Sequence, residues 1–302
     1  MSSYIDDKNL MAECIKLKDF SIVNNIIEKK KKEWTFVIEY GEKIIGYNIY
    51  RIKNLSDLYG FEIYGIAFFF KGVAHGFEEE MYKRIEQLVC ELKRSINGKE
   101  AYYIMKIPCD NLMLLDCINK NFEKTIFCGS TVCYYADLCV GEGKSALDIT
   151  VKVLGVEEKK AYIKELRKLS YDAFDKFFGQ YHISYVTRHK APEIYSNWIE
   201  QFVYTENENI ICAFYEGNII GFLAFQENIA TVEIVLNAVA EEYRGKKVYE
   251  QMLRLALNIC LDKNKLCVIS TQMDNYNVQR AWINSGFKPY HSFYLIHLNN
   301  RK

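Results

Sequence analysis

The sequence contains very little proline, with three residues among 302. A chain rich in proline and poor in hydrophobic residues is typical of disordered linkers, so this scarcity argues against long unstructured segments. Half of the residues are hydrophobic and 15% are aromatic, which is ample material for packed cores. A chain of this length divides comfortably into two domains of about 150 residues each.

An excess of either charge is also missing, because Lys plus Arg and Asp plus Glu both number 39. The chain therefore has no overall field that would favour nucleic acid or an anionic membrane as a partner. We expect neither, and any polyanion must be bound by a local site.

The ten cysteines form no CxxC pair and no CxxC…HxxxH pattern. Zinc sites depend on such spacings, and disulfide frameworks are typical of short secreted chains. We therefore predict no metal site, and we expect reduced cysteines that serve as small core residues.

Signals for export and membrane insertion are lacking as well. The N-terminal MSSYIDDKNL is polar and acidic, without the basic start and apolar run of a signal peptide. The most apolar stretch, GIAFFFKGVAHGF, is interrupted by Lys71 and is too short to span a bilayer. These features predict a soluble, cytoplasmic protein without a membrane partner.

What the sequence does contain is an internal repeat. GEKIIGYNIY (41–50) resembles EGNIIGFLAF (216–225), and in each an apolar run follows a short polar turn, as in a β-hairpin. CINKNF (117–122) resembles WINSGF (282–287), and an Asp-Asn pair precedes both. The repeat predicts a duplicated domain.

Each half shows the same predicted order of elements: two hairpin strands, a long strand, a helix, a strand, a second helix and a final strand. The long helices, 78–96 and 246–261, carry apolar residues with a 3.6-residue period. This order predicts an α/β (α+β) fold of two tandem domains, residues 1–145 and 146–302. Each domain is expected to have a mixed, mostly antiparallel central sheet flanked by helices.

A basic turn, VAEEYRGKKVY (239–249), follows the long strand of the second half. If the next helix begins near Lys246, the turn presents free backbone N–H groups that can bind a diphosphate with help from the helix dipole. Lysine at position 247 is acceptable in a helical conformation and fails only if φ must be positive. The alternative is a basic, solvated helix start that binds nothing.

This turn and two longer stretches make the second half, roughly residues 155–299, resemble the GNAT-superfamily N-acyltransferases. The stretches are EIVLNAVAEEYRGKKVYEQML and STQMDNYNVQRAWINSGF. The family pattern is Arg/Gln-x-x-Gly-x-Gly/Ala after a strand, an Asn at the end of the next strand, and a helix that ends in Gly-Phe. The resemblance implies a bacterial enzyme, with acetyl-CoA as cosubstrate and direct attack on the thioester by a small-molecule primary amine.

Within the superfamily, TQMDN and FFGQYHISY…YSNWIEQ are most similar to the dTDP-fucosamine acetyltransferase group. That similarity implies an acceptor amine on a nucleotide-linked sugar. The first half resembles a degenerate GNAT domain, because its equivalent stretch, KGVAHGFEEEMYKR, has no arginine at the turn. Glu78, Glu79 and Glu80 would repel an anion there. We predict that this half binds no acyl-CoA and is structural or forms a wall of the acceptor cleft.

The implied acyl-CoA site combines backbone groups with basic side chains. Asn275 would bind the pantetheine arm, although capping of the next helix is an alternative role. Tyr249 replaces a small residue of the family, so its side chain must point elsewhere or it narrows the channel. The predicted cofactor-binding residues are Asn237, Ala238, Val239, Arg244, Gly245, Lys246, Lys247, Val248, Tyr249 and Asn275.

Amide formation needs a neutral amine, and Glu233 is the candidate base that takes its proton. Alternation along strand 230–239 predicts that Glu233, Val235, Asn237 and Val239 share one face. An ion pair or a substrate-positioning contact is the alternative role for Glu233.

The second catalytic requirement is release of the thiolate. The resemblance implies a tyrosine acid seven residues after Asn275, but that position holds Trp282, whose indole N–H donates a hydrogen bond and cannot give up its proton. Core packing and lost activity form the alternative interpretation of Trp282. Candidate replacements for the acid are Tyr276, Tyr290, His291 and Tyr294. The predicted catalytic residues are Glu233, Tyr290 and Trp282.

Tyr181, His182 and Trp198 are the predicted acceptor-binding residues, with core packing as the alternative. His182 would orient a hydroxyl or phosphate of the acceptor, and the two aromatic residues would provide a surface for a sugar or base. Two other functions remain open: a non-catalytic module that binds acyl-CoA or a partner, and a tandem transferase that uses aminoacyl-tRNA. The lack of a long helical arm and of basic excess disfavours the transferase. A homodimer is left open.

Overall fold

The computed structural model describes residues 3–5, 8–19, 21–30, 33–73, 78–137, 147–205 and 208–301. The chain forms two compact units. The first comprises Met1–Thr131, Ile183–Val186 and His291–Lys302, and the second comprises Val132–His182 and Thr187–Tyr290. The predicted domain boundary at 145/146 and Cys139 lie outside the described residues, so the boundary stays a prediction.

The first unit is an α/β unit with a mixed sheet in the order β2-β3-β4-β5-β12-β6, with β1 paired to β4. The β4–β5 pair is parallel, and the β2–β3, β3–β4 and β5–β12 pairs are antiparallel. Its strands are β1 (Ser3–Ile5), β2 (Phe36–Tyr40), β3 (Lys43–Arg51), β4 (Ile63–Lys71), β5 (Tyr102–Pro108), the first part of β6 (Thr125–Ala136) and most of β12 (Lys288–Asn299). Its helices are α1 (Lys8–Leu17), α2 (Ser21–Lys30), α3 (Lys53–Tyr59), α4 (Glu79–Ile96) and α5 (Leu112–Asn121).

The second unit contains a sheet in the order β6-β11-β10-β9-β8-β7. The β10–β11 pair is parallel, while β7–β8, β8–β9 and β9–β10 are antiparallel. The strands that lie wholly in this unit are β7 (Thr150–Val153), β8 (Glu208–Tyr215), β9 (Asn218–Glu227), β10 (Thr231–Val239) and β11 (Leu266–Gln272). The helices are α6 (Val156–Ala161), α7 (Ile163–Asp175), α8 (Gln180–Ile183, of which Ile183 belongs to the first unit), α9 (Ala191–Tyr204), α10 (Val248–Asp262) and α11 (Tyr276–Asn284).

Both repeated stretches form the predicted hairpins. Tyr40 pairs with Lys43 in the first, and Tyr215 pairs with Asn218 in the second. The second turn has positive φ at both central residues, 49° and 82° at positions 216 and 217. This conformation matches the twist of the flanking strands.

The sheet of the second unit has a hydrophobic core on each face. Val232 and Ile234 of β10 belong to the core formed with α10, whereas Leu236 and Ala238 belong to the core formed with α7 and α9. The strand exchanges faces because a β-bulge shifts its register between Ile234 and Leu236. This bulge decides where the polar side chains of β10 point.

No helix in the described ranges is both long and apolar enough for a bilayer span. The nine described cysteines are free thiols, and seven of them are buried, as expected for small core residues.

Candidate active site

The turn between β10 and α10 contains two residues in the left-handed region. Gly245 has φ 77° and Lys247 has φ 60°, and the helix begins at Val248 instead of Lys246. The prediction that Lys247 is helical is therefore wrong, because it takes the left-handed conformation that glycine adopts freely. The side chain makes this conformation cost about 1–2 kcal/mol, and such strain tends to cluster at functional sites.

The turn leaves backbone N–H groups open at the head of α10. The N–H of Lys246 donates to the Tyr243 carbonyl at 3.4 Å, and α10 has no side-chain cap. Within the described part of the chain, the N–H groups of Gly245, Lys247, Val248 and Tyr249 have no protein acceptor. Open donors at a helix N-terminus are suited to an anion.

The three basic side chains of the turn have different surroundings. Arg244 folds back, and its Nε donates to the Val239 carbonyl at 3.1 Å. The Lys246 ammonium lies 5.1 Å from the Tyr243 ring centroid. Lys247 is exposed and its side chain has no partner among the described residues, so its charge is the most available of the three to a ligand.

Arg244 also borders a cleft of about 470 Å³. The carboxylates of Glu165, Asp172, Glu241 and Glu242 line the same cleft, with Lys168 as the other cation. Because acidic side chains outnumber basic ones there, the cleft does not suit an anion. The candidate anion site is therefore the turn itself, which carries the open N–H groups.

Strands β10 and β11 part beside this turn. Their parallel register runs from Thr231↔Leu266 to Ile234↔Ile269, although β10 continues to Val239 and β11 to Gln272. On its other edge β10 remains paired with β9 as far as Val239. Among the described residues, the edge that faces β11 thus has no strand partner beyond Ile234, so an extended ligand with amide groups can pair with it.

Asn237, Ala238 and Val239 lie in this parted segment. Side chains along a strand alternate between the two faces of the sheet, and the bulge inserts one extra residue into this alternation. The Asn237 side chain therefore lies on the α10 face, while Glu233, before the bulge, lies on the face of α7 and α9. The prediction that Glu233 and Asn237 share a face is therefore wrong.

Glu233 is buried in the paired part of β10, with 6% of its surface exposed. Gln226 lies opposite it in β9 and donates from Nε2 to the Glu233 carboxylate at 3.1 Å. Glu208 lies opposite Gln226 on the next strand, β8. Burial raises the pKa of the Glu208 carboxyl group. Glu233 is therefore the buried member of a partly buried polar row, on the face of the core against which Tyr181 and Trp198 also pack.

Trp282 and Tyr249 form a hydrogen-bonded pair inside the second unit. Trp282 is 1% exposed and its indole Nε1 donates to the Tyr249 hydroxyl oxygen at 2.7 Å. The Tyr134 ring packs edge-on against the indole at 5.5 Å between centroids. Tyr249 packs against the same core, and burial raises its pKa. This arrangement favours a packing role for Trp282 over proton transfer.

The candidate substitutes for the acid are dispersed. Tyr290 lies on β12 with its ring edge-on to Tyr135 at 6.0 Å, and Tyr276 is 70% exposed at the start of α11. His291 and Tyr294 belong to the first unit. The catalytic role of Tyr290 stays a prediction.

Asn275 precedes α11 at the N-cap position, but its side chain does not cap the helix. Its Nδ2 donates to the Thr271 hydroxyl at 3.1 Å. The side-chain oxygen makes no hydrogen bond with the described chain, so this oxygen is available to a ligand.

The predicted acceptor residues gather around Tyr195 of α9. The Tyr195 ring centroid lies 6.1 Å from that of Tyr181 and 6.4 Å from that of His182. Trp198 packs against the same core. Both ring nitrogens of His182 are buried without a partner among the described residues, and burial lowers its pKa.

Two features of this site could not be predicted from the sequence. The bulge in β10 interrupts a regular apolar pattern, which contains no signal for it. Gln272 pairs with the backbone at Phe178 and Gln180, and although it lies in the quoted TQMDN stretch, nothing in the sequence placed those segments together. No group of three or more His, Cys, Asp or Glu side chains suited to a metal occurs in the described ranges.

Comparison with known proteins identifies the class of domain. Residues 165–287 match the acetyltransferase (GNAT) family, and a search of curated proteins returned no match. The second half of the chain thus contains a GNAT acetyltransferase domain.

Solved structures with a similar fold include a tandem GNAT protein and two GCN5-related N-acetyltransferases. A GCN5-related N-acetyltransferase from Sphaerobacter thermophilus has a TM-score of 0.55 and 12% identity, covering 91% of this chain and 86% of that one. One from Kribbella flavida has a TM-score of 0.52 and 10% identity, covering 92% and 94%. A tandem GNAT protein from the clavulanic acid biosynthesis pathway has a TM-score of 0.52 and 11% identity, covering 78% and 74%. Identities this low establish the fold alone, and the predicted fold class is confirmed.

Proposed function

We propose that the protein is an acyl-CoA-dependent N-acetyltransferase that moves acetyl from acetyl-CoA to a primary amine of a small molecule. A nucleotide-linked amino sugar is the leading acceptor. The observation that carries the proposal is the set of open N–H groups at the head of α10, in a domain that matches the GNAT family. We further propose that it acts in the cytoplasm of a bacterium.

The diphosphate of acetyl-CoA would lie against the N–H groups of Lys247, Val248 and Tyr249. Charge-assisted hydrogen bonds of this kind contribute about 1.5–3 kcal/mol each before ordering costs. The exposed Lys247 ammonium adds a charge of the right sign. The pantetheine amides would then pair with the edge of β10 at residues 237–239, which has no strand partner among the described residues and whose Val239 carbonyl accepts from Arg244 Nε. The Asn275 side-chain oxygen would accept a further bond.

In the reaction, the lone pair of a neutral amine attacks the thioester carbonyl carbon. The C–N bond forms, the C–S bond breaks, and the sulfur departs with the electron pair of the broken bond. Glu233 accepts the proton that the amine loses, directly or through water. Because a thiol pKa near 8.5 makes thiolate a fair leaving group, the reaction tolerates a tryptophan at position 282. Tyr290 remains our candidate acid.

The first unit is proposed to bind no acyl-CoA. Its helix α4 begins with Glu79 and Glu80 in the first turn, and the preceding Glu78 is paired with Lys43 at 2.7 Å. Three carboxylates at this helix start disfavour an anion.

Release of free thiol tests the proposal. Purified protein is mixed with acetyl-CoA and a panel of amines that includes glucosamine and nucleotide-linked amino sugars, and thiol is measured against a protein-free control. We expect amine-dependent thiol release. Binding of acetyl-CoA in calorimetry without thiol release for any amine would contradict the proposal.

That second outcome would support the alternative, a non-catalytic acyl-CoA-binding module. Trp282 stands at the position where the family carries a tyrosine acid. Its burial and its hydrogen bond to Tyr249 favour this alternative.

A further inference from the structure

The Gln272 side chain holds residues 178–182, the segment that contains Tyr181 and His182, at the end of β11. With the Gln272 amide oriented to satisfy both of its polar atoms, its nitrogen donates to the Phe178 carbonyl at 3.0 Å. Its oxygen accepts from the Gln180 N–H at 3.0 Å. Paired bonds to a carbonyl and an N–H fix both the position and the orientation of a backbone segment. Gln272 is the last residue of β11, beyond the point where this strand leaves β10.

Tyr195 provides a second anchor for the same segment. Its ring contacts those of Tyr181 and His182. A Cβ atom at Gly179 would lie 2.7 Å from the Phe177 ring and 3.0 Å from the Tyr195 hydroxyl oxygen, so a side chain at this position would disturb the packing of the segment against both rings. The segment is thus held by Tyr195 and by Gln272 at neighbouring residues.

The two anchors fix an imidazole whose hydrogen-bonding capacity is unused. Both nitrogens of His182 are buried and lack partners in the described part of the chain. Because burial lowers its pKa, the ring is neutral near pH 7 and presents one N–H donor and one acceptor nitrogen. A ligand hydroxyl can both accept and donate and so complements this ring, whereas a phosphate dianion offers acceptors only.

We propose that Gln272 is a positioning residue that holds His182 to bind a hydroxyl group of the acceptor. The inference rests on the proposed acetyltransferase function and narrows the acceptor to a hydroxylated amine. Gln272 itself contacts neither substrate, and it acts through the backbone of Phe178 and Gln180.

Two variants of Gln272 test this role with a matched control. Gln272→Leu removes both bonds to the segment, while Gln272→Glu keeps an acceptor for the Gln180 N–H and loses the donor to Phe178. Gln201→Leu is the control, because Gln201 is a partly buried glutamine of α9 whose side chain makes no hydrogen bond with the described chain.

The kinetic readout compares glucosamine with cyclohexylamine, which has no hydroxyl group. We expect Gln272→Leu to raise the KM for glucosamine about tenfold, the factor that corresponds to 1.4 kcal/mol. The KM for acetyl-CoA and for cyclohexylamine should be unchanged, Gln272→Glu should be intermediate, and Gln201→Leu should match wild type. An active wild type with an unchanged glucosamine KM in Gln272→Leu overturns the inference alone. A wild type that releases no thiol with either amine overturns the inference together with the proposed function.

Amide hydrogen exchange supplies a readout that needs no activity. In ligand-free protein, we expect the Gln180 N–H to exchange at least tenfold faster in Gln272→Leu than in wild type or Gln201→Leu. Equal exchange rates would mean that Gln272 does not hold the segment, and the inference would fall whatever the kinetics.

Discussion

The helix starts of α4 and α10 occupy corresponding places in the repeat and differ in charge. In the first unit, α4 begins with Glu79 and Glu80. In the second, α10 follows Lys246 and Lys247 and leaves N–H groups without acceptors in the described chain. A helix N-terminus attracts anions by its dipole, and side-chain charge then decides whether one is admitted. The comparison teaches that two helix starts at corresponding places in a repeat can carry opposite side-chain charges and so differ in their affinity for an anion.

The largest expected effect concerns Glu233, which we propose as the base in the second unit and which has no proposed counterpart in the first. Glu233→Gln should lower the acetyl-transfer rate by about 10²–10⁴-fold, the usual contribution of a general base. The measurement is thiol release across pH 6–9. A rate close to wild type over that range would remove Glu233 as the base.

Charge reversal at the two helix starts sharpens the comparison directly. Lys247→Glu should weaken acetyl-CoA binding about ten- to a hundredfold, because a favourable charge near the diphosphate becomes a repulsive one. Calorimetry measures the affinity. The matched control is Lys83→Glu on α4, an exposed lysine whose reversal changes net charge equally. Equal losses in both variants would attribute the effect to overall charge and not to the turn.

The Tyr249–Trp282 pair is the next feature to test. Tyr249→Phe, Trp282→Phe and the double variant form a cycle whose coupling free energy we expect to be about 1 kcal/mol, within the range for one hydrogen bond between contacting residues. Urea unfolding measures the free energies. Additive effects would show that the bond contributes nothing to packing and would reopen a catalytic role for Trp282.

The smallest effect is expected from relief of strain in the turn. Lys247→Gly should raise the free energy of unfolding by about 0.5–1 kcal/mol, because glycine adopts positive φ without the penalty of a side chain. The matched control is Lys246→Gly, since Lys246 is not among the positive-φ residues. Destabilisation by Lys247→Gly equal to that of the control would argue against the left-handed turn.

Local patterns in the sequence predicted much of the fold. The apolar period of 78–96 anticipated α4 (Glu79–Ile96) to within a residue, and the repeated Gly-containing turns anticipated both hairpins. Such features depend on short-range periodicity and turn chemistry, which a sequence displays directly.

The site was less predictable because its decisive features depend on tertiary structure. The bulge in β10 places Glu233 and Asn237 on opposite faces of the sheet, although the apolar pattern of the sequence continues through it unchanged. Lys247 takes a left-handed conformation that its residue type disfavours. The Gln272 side chain bonds to backbone groups of Phe178 and Gln180, about 90 residues away in the sequence, so only the folded chain brings them together.

A crystal structure of the protein soaked with acetyl-CoA would test the central claim most directly. We predict that diphosphate oxygens lie within hydrogen-bonding distance of the backbone nitrogens of Val248 and Tyr249, with no ligand at the start of α4. A diphosphate bound elsewhere, with those two N–H groups left unoccupied, would contradict it.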